Sequence, residues 1–233
     1  MLKVWYNSKK VDMKTAQTCY LCQAPATTFD HIPPKSLFPK DFQYKGVKVP
    51  ACKSCNNATS KDDEYLRDCF AMTGWNKEAR QVFLEGVRPS YLRPYAMMHQ
   101  VTKHQKILNS MAKIDIKSPS GIFLRKVTAM KMKSDRVENA LKKIVKGLHF
   151  HRYKKSIPDN YTLKVYFQPT DIGLNLLDEA KKKGALNAGR FGNTFCYMGF
   201  NVREDEFVGI WWLSFYQTHA AILMVDSSNK LLG

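Results

Sequence analysis

Four of the six cysteines fall into two pairs, Cys19-x2-Cys22 and Cys52-x2-Cys55. Each short pair makes a tight knuckle that aims two sulfurs at one point. Two knuckles together supply the four thiolates that a tetrahedral structural zinc prefers. Such a site has no open position, so the Zn²⁺ it would hold is structural rather than catalytic. Two redox dithiols or two disulfides are the competing readings of the pairs. Neither explains why they bracket the most polar and unusual segment of the chain. Between the pairs stands Phe29-Asp30-His31-Ile32-Pro33-Pro34, and Asn56-Asn57 follows the second pair directly.

That arrangement resembles the HNH nucleases, also called ββα-metal or treble-clef nucleases. The resemblance covers about residues 19–68 and rests on both knuckles, the DHIPP segment and the Asn after the last cysteine. It implies that His31 is the general base, Asp30 a ligand of a catalytic cation and Asn56 the second ligand. Asn57 takes that place if the register slips by one. The family's middle Asn stands nine residues before the helix Asn; here that position is Val47.

Elementary chemistry agrees with these roles. Phosphodiester hydrolysis needs a nucleophile and neutralisation of developing charge. Histidine titrates near neutrality and can take a proton from water. An Asp and an Asn offer hard oxygens suited to Mg²⁺ or Mn²⁺, and such a cation stabilises the transferring phosphoryl group. Read without the family, Asp30-His31 is a surface or capping pair and Asn56 a helix cap. Pro33-Pro34 stiffens the loop after the base.

The elements that must position these groups follow from patterning. A strand is expected at 27–31, a partner at 47–51, and a helix from 54 to 72, restarting at Ser60 with Asp62, Asp63 and Glu64 in its first turn. Helical character continues at 76–86 and 95–112. A hairpin is expected at 114–124, around Ser118-Pro119-Ser120-Gly121. An amphipathic helix at 137–148 carries Leu141, Ile144, Val145 and Leu148 on one face. Strands are expected at 162–168, 194–202, 207–216 and 220–225, with a helix at 171–183. The fold class is therefore α+β. It comprises a zinc-stapled ββα-metal module over 1–90, a basic, mainly helical region over 91–155, and a region of strands with a helix over 156–233.

The chain of 233 residues carries a formal charge of +17. Residues 101–155 hold 15 Lys+Arg against 3 Asp+Glu, so most of the excess sits in the middle. A chain this basic attracts polyanions. Lys142, Lys143, Lys146, Arg152, Lys154 and Lys155 form the expected nucleic-acid clamp, with His151 and Tyr153 interleaved for stacking; Lys35 is a further phosphate contact. His99, His104 and His149 read as surface or groove residues. Cys69 and Cys196 read as buried and inert.

No apolar leader opens the chain, so a cytoplasmic location is expected. The stretch 207–225 has no formal charge, but Gln217, Thr218 and His219 in its middle argue for two strands and a polar turn rather than a membrane span. Trp211 and Trp212 would face opposite sides of a strand, one of them available to a homodimer interface. A regulatory partner protein is an alternative association. The expected function is an HNH endonuclease acting on DNA rather than RNA, of the kind found in antiphage defence or mobile elements. The alternatives are a non-catalytic zinc-stapled nucleic-acid-binding protein and an RNase or toxin effector.

Overall fold

A computed structural model describes residues 17–92, 105, 109–167, 187–201 and 205–227. Strands β1 (Thr28–Ile32) and β2 (Val47–Ala51) form an antiparallel hairpin. Val47, Val49 and Ile32 supply its β-branched, buried positions. Helix α1 (Lys53–Thr73) starts immediately after β2. It runs unbroken through Ser60, whose hydroxyl donates back to the Asn57 carbonyl at 2.7 Å. The expected restart is thus absent, and Asp63 is a buried mid-helix residue rather than a first-turn charge. Beyond α1, a short helix α2 (Lys77–Val82) passes through a π-turn (Phe83–Val87) into α3 (Arg88–Leu92).

The basic middle is only partly helical. Strands β3 (Met111–Lys117) and β4 (Phe123–Met130) pair antiparallel into a long hairpin. It replaces the end of the helix expected over 95–112 and extends the expected hairpin in both directions. Most of 95–108 lies outside the described residues. Helix α4 (Ser134–Tyr153) follows. Val137, Leu141, Ile144, Val145 and Leu148 are buried, as the apolar stripe requires, but so are Lys143, Gly147 and His149. The helix is wedged against α1 on one side and against the β1–β2 hairpin on another. It is a central element, and of the expected clamp residues Lys143 is enclosed by that packing.

The C-terminal part is a five-stranded antiparallel sheet in the order β5 (Tyr161–Phe167), β9 (His219–Ser227), β8 (Gly209–Phe215), β7 (Phe195–Asn201), β6 (Asn187–Phe191). The uncharged stretch at 207–225 contains β8, a turn and most of β9. Among the described residues no helix is long and apolar enough to cross a membrane. The helix expected at 171–183 lies outside the described residues. Strand β6 was not expected, because Asn-Ala-Gly-Arg has little β-propensity; it forms by pairing with β7.

One apolar core runs through all three regions. Phe70 of α1 meets Phe215 of β8 edge-on at 5.1 Å. Phe38, in the loop after β1, meets Phe191 of β6 at 6.4 Å. The buried Tyr216 hydroxyl donates to the Leu37 carbonyl at 2.7 Å. The sheet therefore supports the loop that follows His31.

Candidate active site

The four paired cysteines converge. Their sulfurs all lie within 4.8 Å of one another, with Cys22 and Cys52 Sγ 3.6 Å apart. Tetrahedral zinc with Zn–S bonds of about 2.3 Å spaces its sulfurs about 3.8 Å apart, so the cluster is compatible with a structural zinc site. Backbone geometry builds both knuckles. Gln23 adopts φ +61° and its N–H donates to the Cys19 carbonyl at 2.9 Å. The Cys55 N–H donates to Cys52 Sγ at 3.4 Å, so Cys52 also caps α1. Hydrogen bonds from Ser54 and that N–H hold the Cys52 thiol down at about 6. That favours the thiolate at Cys52 alone, since burial and the neighbouring thiols push Cys55 the other way.

His31 and Asp30 come from adjacent positions of β1, and a strand sends adjacent side chains to opposite faces. Asp30 and Ile32 turn inward; Phe29 and His31 turn outward. His31 is half-buried and its ring meets Tyr44 edge-on at 5.3 Å. The Tyr44 hydroxyl in turn donates to the Pro33 carbonyl at 2.7 Å. Burial first, and then the positive charge of Lys48, push the His31 pKa below its ordinary value. The imidazole is therefore neutral at physiological pH and able to accept a proton.

Asp30 has a different environment. Its Oδ2 accepts from the Tyr20 hydroxyl at 2.8 Å and lies 2.9 Å from Lys143 Nζ. Lys143 Nζ also lies 2.5 Å from Asp63 Oδ2. Only 2% of the Lys143 side chain is exposed. This corrects the reading of Lys143 as a phosphate contact: it is a buried counter-ion for two carboxylates. Asp30 and His31 do not share one open site. Asn56 is partly exposed in the first turn of α1, and its N–H donates to the Cys52 carbonyl at 3.1 Å. Among the described residues, the four cysteines are the only group of three or more His, Cys, Asp or Glu placed to hold a metal. Asp30 already has two partners, Tyr20 and Lys143, whereas Asn56 stands partly exposed at the start of α1.

The remaining basic residues separate by exposure. Lys35, Arg152, Lys154 and Lys155 are exposed, and Lys142 and Lys146 partly so. Lys155 pairs with Glu206 at 2.6 Å and Lys142 with Glu138 at 3.2 Å. Lys48 was missed by sequence reasoning, although hairpin register would have revealed it. It is the exposed cross-strand partner of His31. It also lines a hollow of about 370 Å³ with Phe29, Pro50, Phe150 and Lys154. Two lysines at one hollow beside an imidazole suit an anionic ligand.

His149 is buried rather than exposed. Its ring nitrogens lie 3.1 Å from the carbonyls of Lys155 and Glu206, and it pins the end of α4 to the sheet region. His99 and His104 lie outside the described residues. Cys69 is buried and its thiol is pushed up to about 11, chiefly by burial; Cys196 is half-buried. Trp211 is buried and Trp212 partly exposed, in keeping with their opposite directions from β8. Neither protein-family models nor curated proteins nor solved structures yield a match to this chain.

Proposed function

We propose that this chain is an HNH-type hydrolase of phosphodiester bonds in nucleic acid, DNA rather than RNA, with His31 as its base and a structural Zn²⁺ on Cys19, Cys22, Cys52 and Cys55. The observation that carries the reading is the placement of His31. It sits on β1, paired with the strand that runs directly into Cys52, faces outward, and is kept neutral by burial and by Lys48 across the hairpin. A neutral imidazole fixed on a stapled hairpin can orient and deprotonate water. Lys48 and Lys154 would hold the phosphates nearby, and the neighbouring Phe29 and Phe150 offer apolar surface to bases.

The resemblance adds Mg²⁺ or Mn²⁺ on Asp30 and Asn56, which would neutralise charge at the scissile phosphate. The Asp30 carboxylate, however, is already engaged by Lys143 and Tyr20. This closure favours a second reading, a zinc-stapled protein that binds nucleic acid without cutting it.

Cleavage of supercoiled and linear plasmid DNA with Mg²⁺, Mn²⁺ or EDTA tests the proposal, comparing the wild-type chain with His31→Ala. Zinc content is measured in every sample. Nicking that disappears in His31→Ala, with fold and zinc retained, supports the hydrolase. Binding without cleavage on DNA and RNA alike supports the second reading. Equal cleavage by both chains removes His31 from the chemistry.

A further inference from the structure

Among the described residues the β3–β4 hairpin pairs with no third strand; its two strands form a sheet of their own. A lone two-stranded ribbon is marginal in water unless something covers it. Its foot is fixed. Met130 packs against the core, and the Lys133 N–H donates to the Tyr65 hydroxyl at 2.9 Å. Its tip is well built. The Gly121 N–H donates to the Ser118 carbonyl at 2.9 Å, the Ile122 N–H donates to Ser118 Oγ at 3.1 Å, and Gly121 takes φ +85°, a conformation that suits glycine. Just past this ordered turn, Ile122, Phe123 and Leu124 are 65%, 54% and 59% exposed. Consecutive apolar side chains held out on a structured tip mark a contact surface.

Charge selects the partner. The ribbon and its foot carry Lys113, Lys117, Arg125, Lys126, Lys131 and Lys133, against Asp115 alone. Asp115 and Lys126 are 4.0 Å apart and both well exposed, so their pairing is weak. The cations are distributed from foot to tip, over roughly 24 Å at 3.4 Å per residue. A second copy would bring the same positive ribbon against itself. A polyanion with phosphates spaced along a groove matches both length and sign, and the major groove admits a two-stranded ribbon. Exposed apolar side chains at the end of a cationic element can also wedge between base steps.

We propose that the β3–β4 ribbon is a nucleic-acid-gripping arm. Lys113, Lys117, Arg125 and Lys126 neutralise phosphates along its length, and Ile122 and Phe123 pack against bases at its tip. The arm rests on nucleic acid being the substrate class and supplies grip away from His31.

The test uses the full chain carrying His31→Ala with no added divalent cation, so that nothing is cut and zinc is retained. Binding to a fluorescent mixed-sequence duplex is followed by anisotropy across a salt series. One variant replaces Lys113, Lys117, Arg125 and Lys126 by Gln; the other carries Ile122→Ser and Phe123→Ser. Circular dichroism and zinc content confirm the fold of each. The charge variant is expected to bind at least about tenfold more weakly at low salt. Its slope of log K against log[salt] is expected to fall by about 3 to 4, near 0.9 per lost phosphate contact. The tip variant is expected to lose affinity with its slope unchanged. If the His31→Ala parent binds duplex but neither variant changes affinity or slope, the arm is overturned and the hydrolase reading stands. If the parent binds no duplex, both fall together. Preference for phosphatidylserine vesicles over duplex, or a dimer by light scattering that the tip variant dissociates, also overturns the arm.

Discussion

Lys143 Nζ lies 2.9 Å from Asp30 Oδ2 and 2.5 Å from Asp63 Oδ2, so one ammonium from α4 joins β1 to α1 beneath the candidate site. Two carboxylates and one ammonium do not balance. The cost appears at Asp63, whose Oδ1 is buried without a hydrogen-bond partner. Burial, only partly offset by Lys143, pushes its pKa up from 3.8 to about 6.

Removing the ammonium leaves two buried acids facing each other. Lys143→Met is expected to destabilise the chain by about 3–5 kcal/mol, the usual consequence of breaking a buried pair from one side. Adding Asp63→Asn to that variant should recover part of the loss, because one uncompensated charge goes with it. Urea denaturation of the single and double variants measures both steps.

The raised pKa of Asp63 gives stability a definite pH dependence. The folded state holds this proton up to about pH 6, whereas the unfolded chain releases it near 3.8. The resulting stabilisation is full below 3.8 and is lost as pH rises through about 6. Relative to Asp63→Asn, the wild-type chain should therefore gain about 1 kcal/mol between pH 7 and pH 5. Comparing the two chains over that range cancels the acid sensitivity of the cysteine cluster, which both share. A difference that is flat with pH would show that Asp63 remains ionised throughout.

Gly147 lies in the interior of α4, where helix propensity alone would favour alanine by about 0.5–1 kcal/mol. A Cβ at 147, however, would stand 2.5 Å from Ile32 Cγ1 and 2.7 Å from its Cδ1. Ile32 is fully buried one residue after His31 and cannot swing clear. Overpacking of about 1–3 kcal/mol should outweigh the propensity gain. Gly147→Ala is expected to lower the melting temperature and, if His31 is the base, to perturb hydrolysis through β1.

If His31 is the base, the acid limb of the pH profile of kcat/KM reports its free-enzyme pKa. That limb should fall below the ordinary histidine value near 6.5, since burial and Lys48 both oppose the imidazolium. Lys48→Gln removes the largest of the positive charges that act with burial, so the limb should move upward while remaining below 6.5. If Lys48 also contacts phosphate, KM should rise in the same variant. A limb that does not move would dissociate His31 from the titration.

The hairpin, the cysteine cluster and most of α1 were legible because their signals are local, alternating apolar residues and two tight Cys pairs, although the cap of α1 is Cys52 rather than the expected Asn56. The side of β1 that Asp30 faces was legible in principle, since alternation alone separates it from His31. Its partner was not. Lys143 lies on a stripe that reads as solvent-exposed, and only packing of α4 between α1 and the hairpin encloses it. The same enclosure hides His149, whose satisfying carbonyls come from Lys155 and Glu206. Strand β6 owes its existence to the neighbouring edge of β7 and has no signal of its own. Tertiary context overrode local preference at each of these points.

The bond from Tyr216 to the Leu37 carbonyl ties the loop after β1 to the last third of the chain. Leu37 and Phe38 are buried partly beneath side chains of the C-terminal sheet, such as Phe191 and Tyr216. A fragment ending near residue 90 would keep its four cysteines and its histidine, yet expose the underside of the loop beside them. Chemistry and scaffold here form a single foldable unit, and swapping the hairpin into another protein would require transplanting its floor as well.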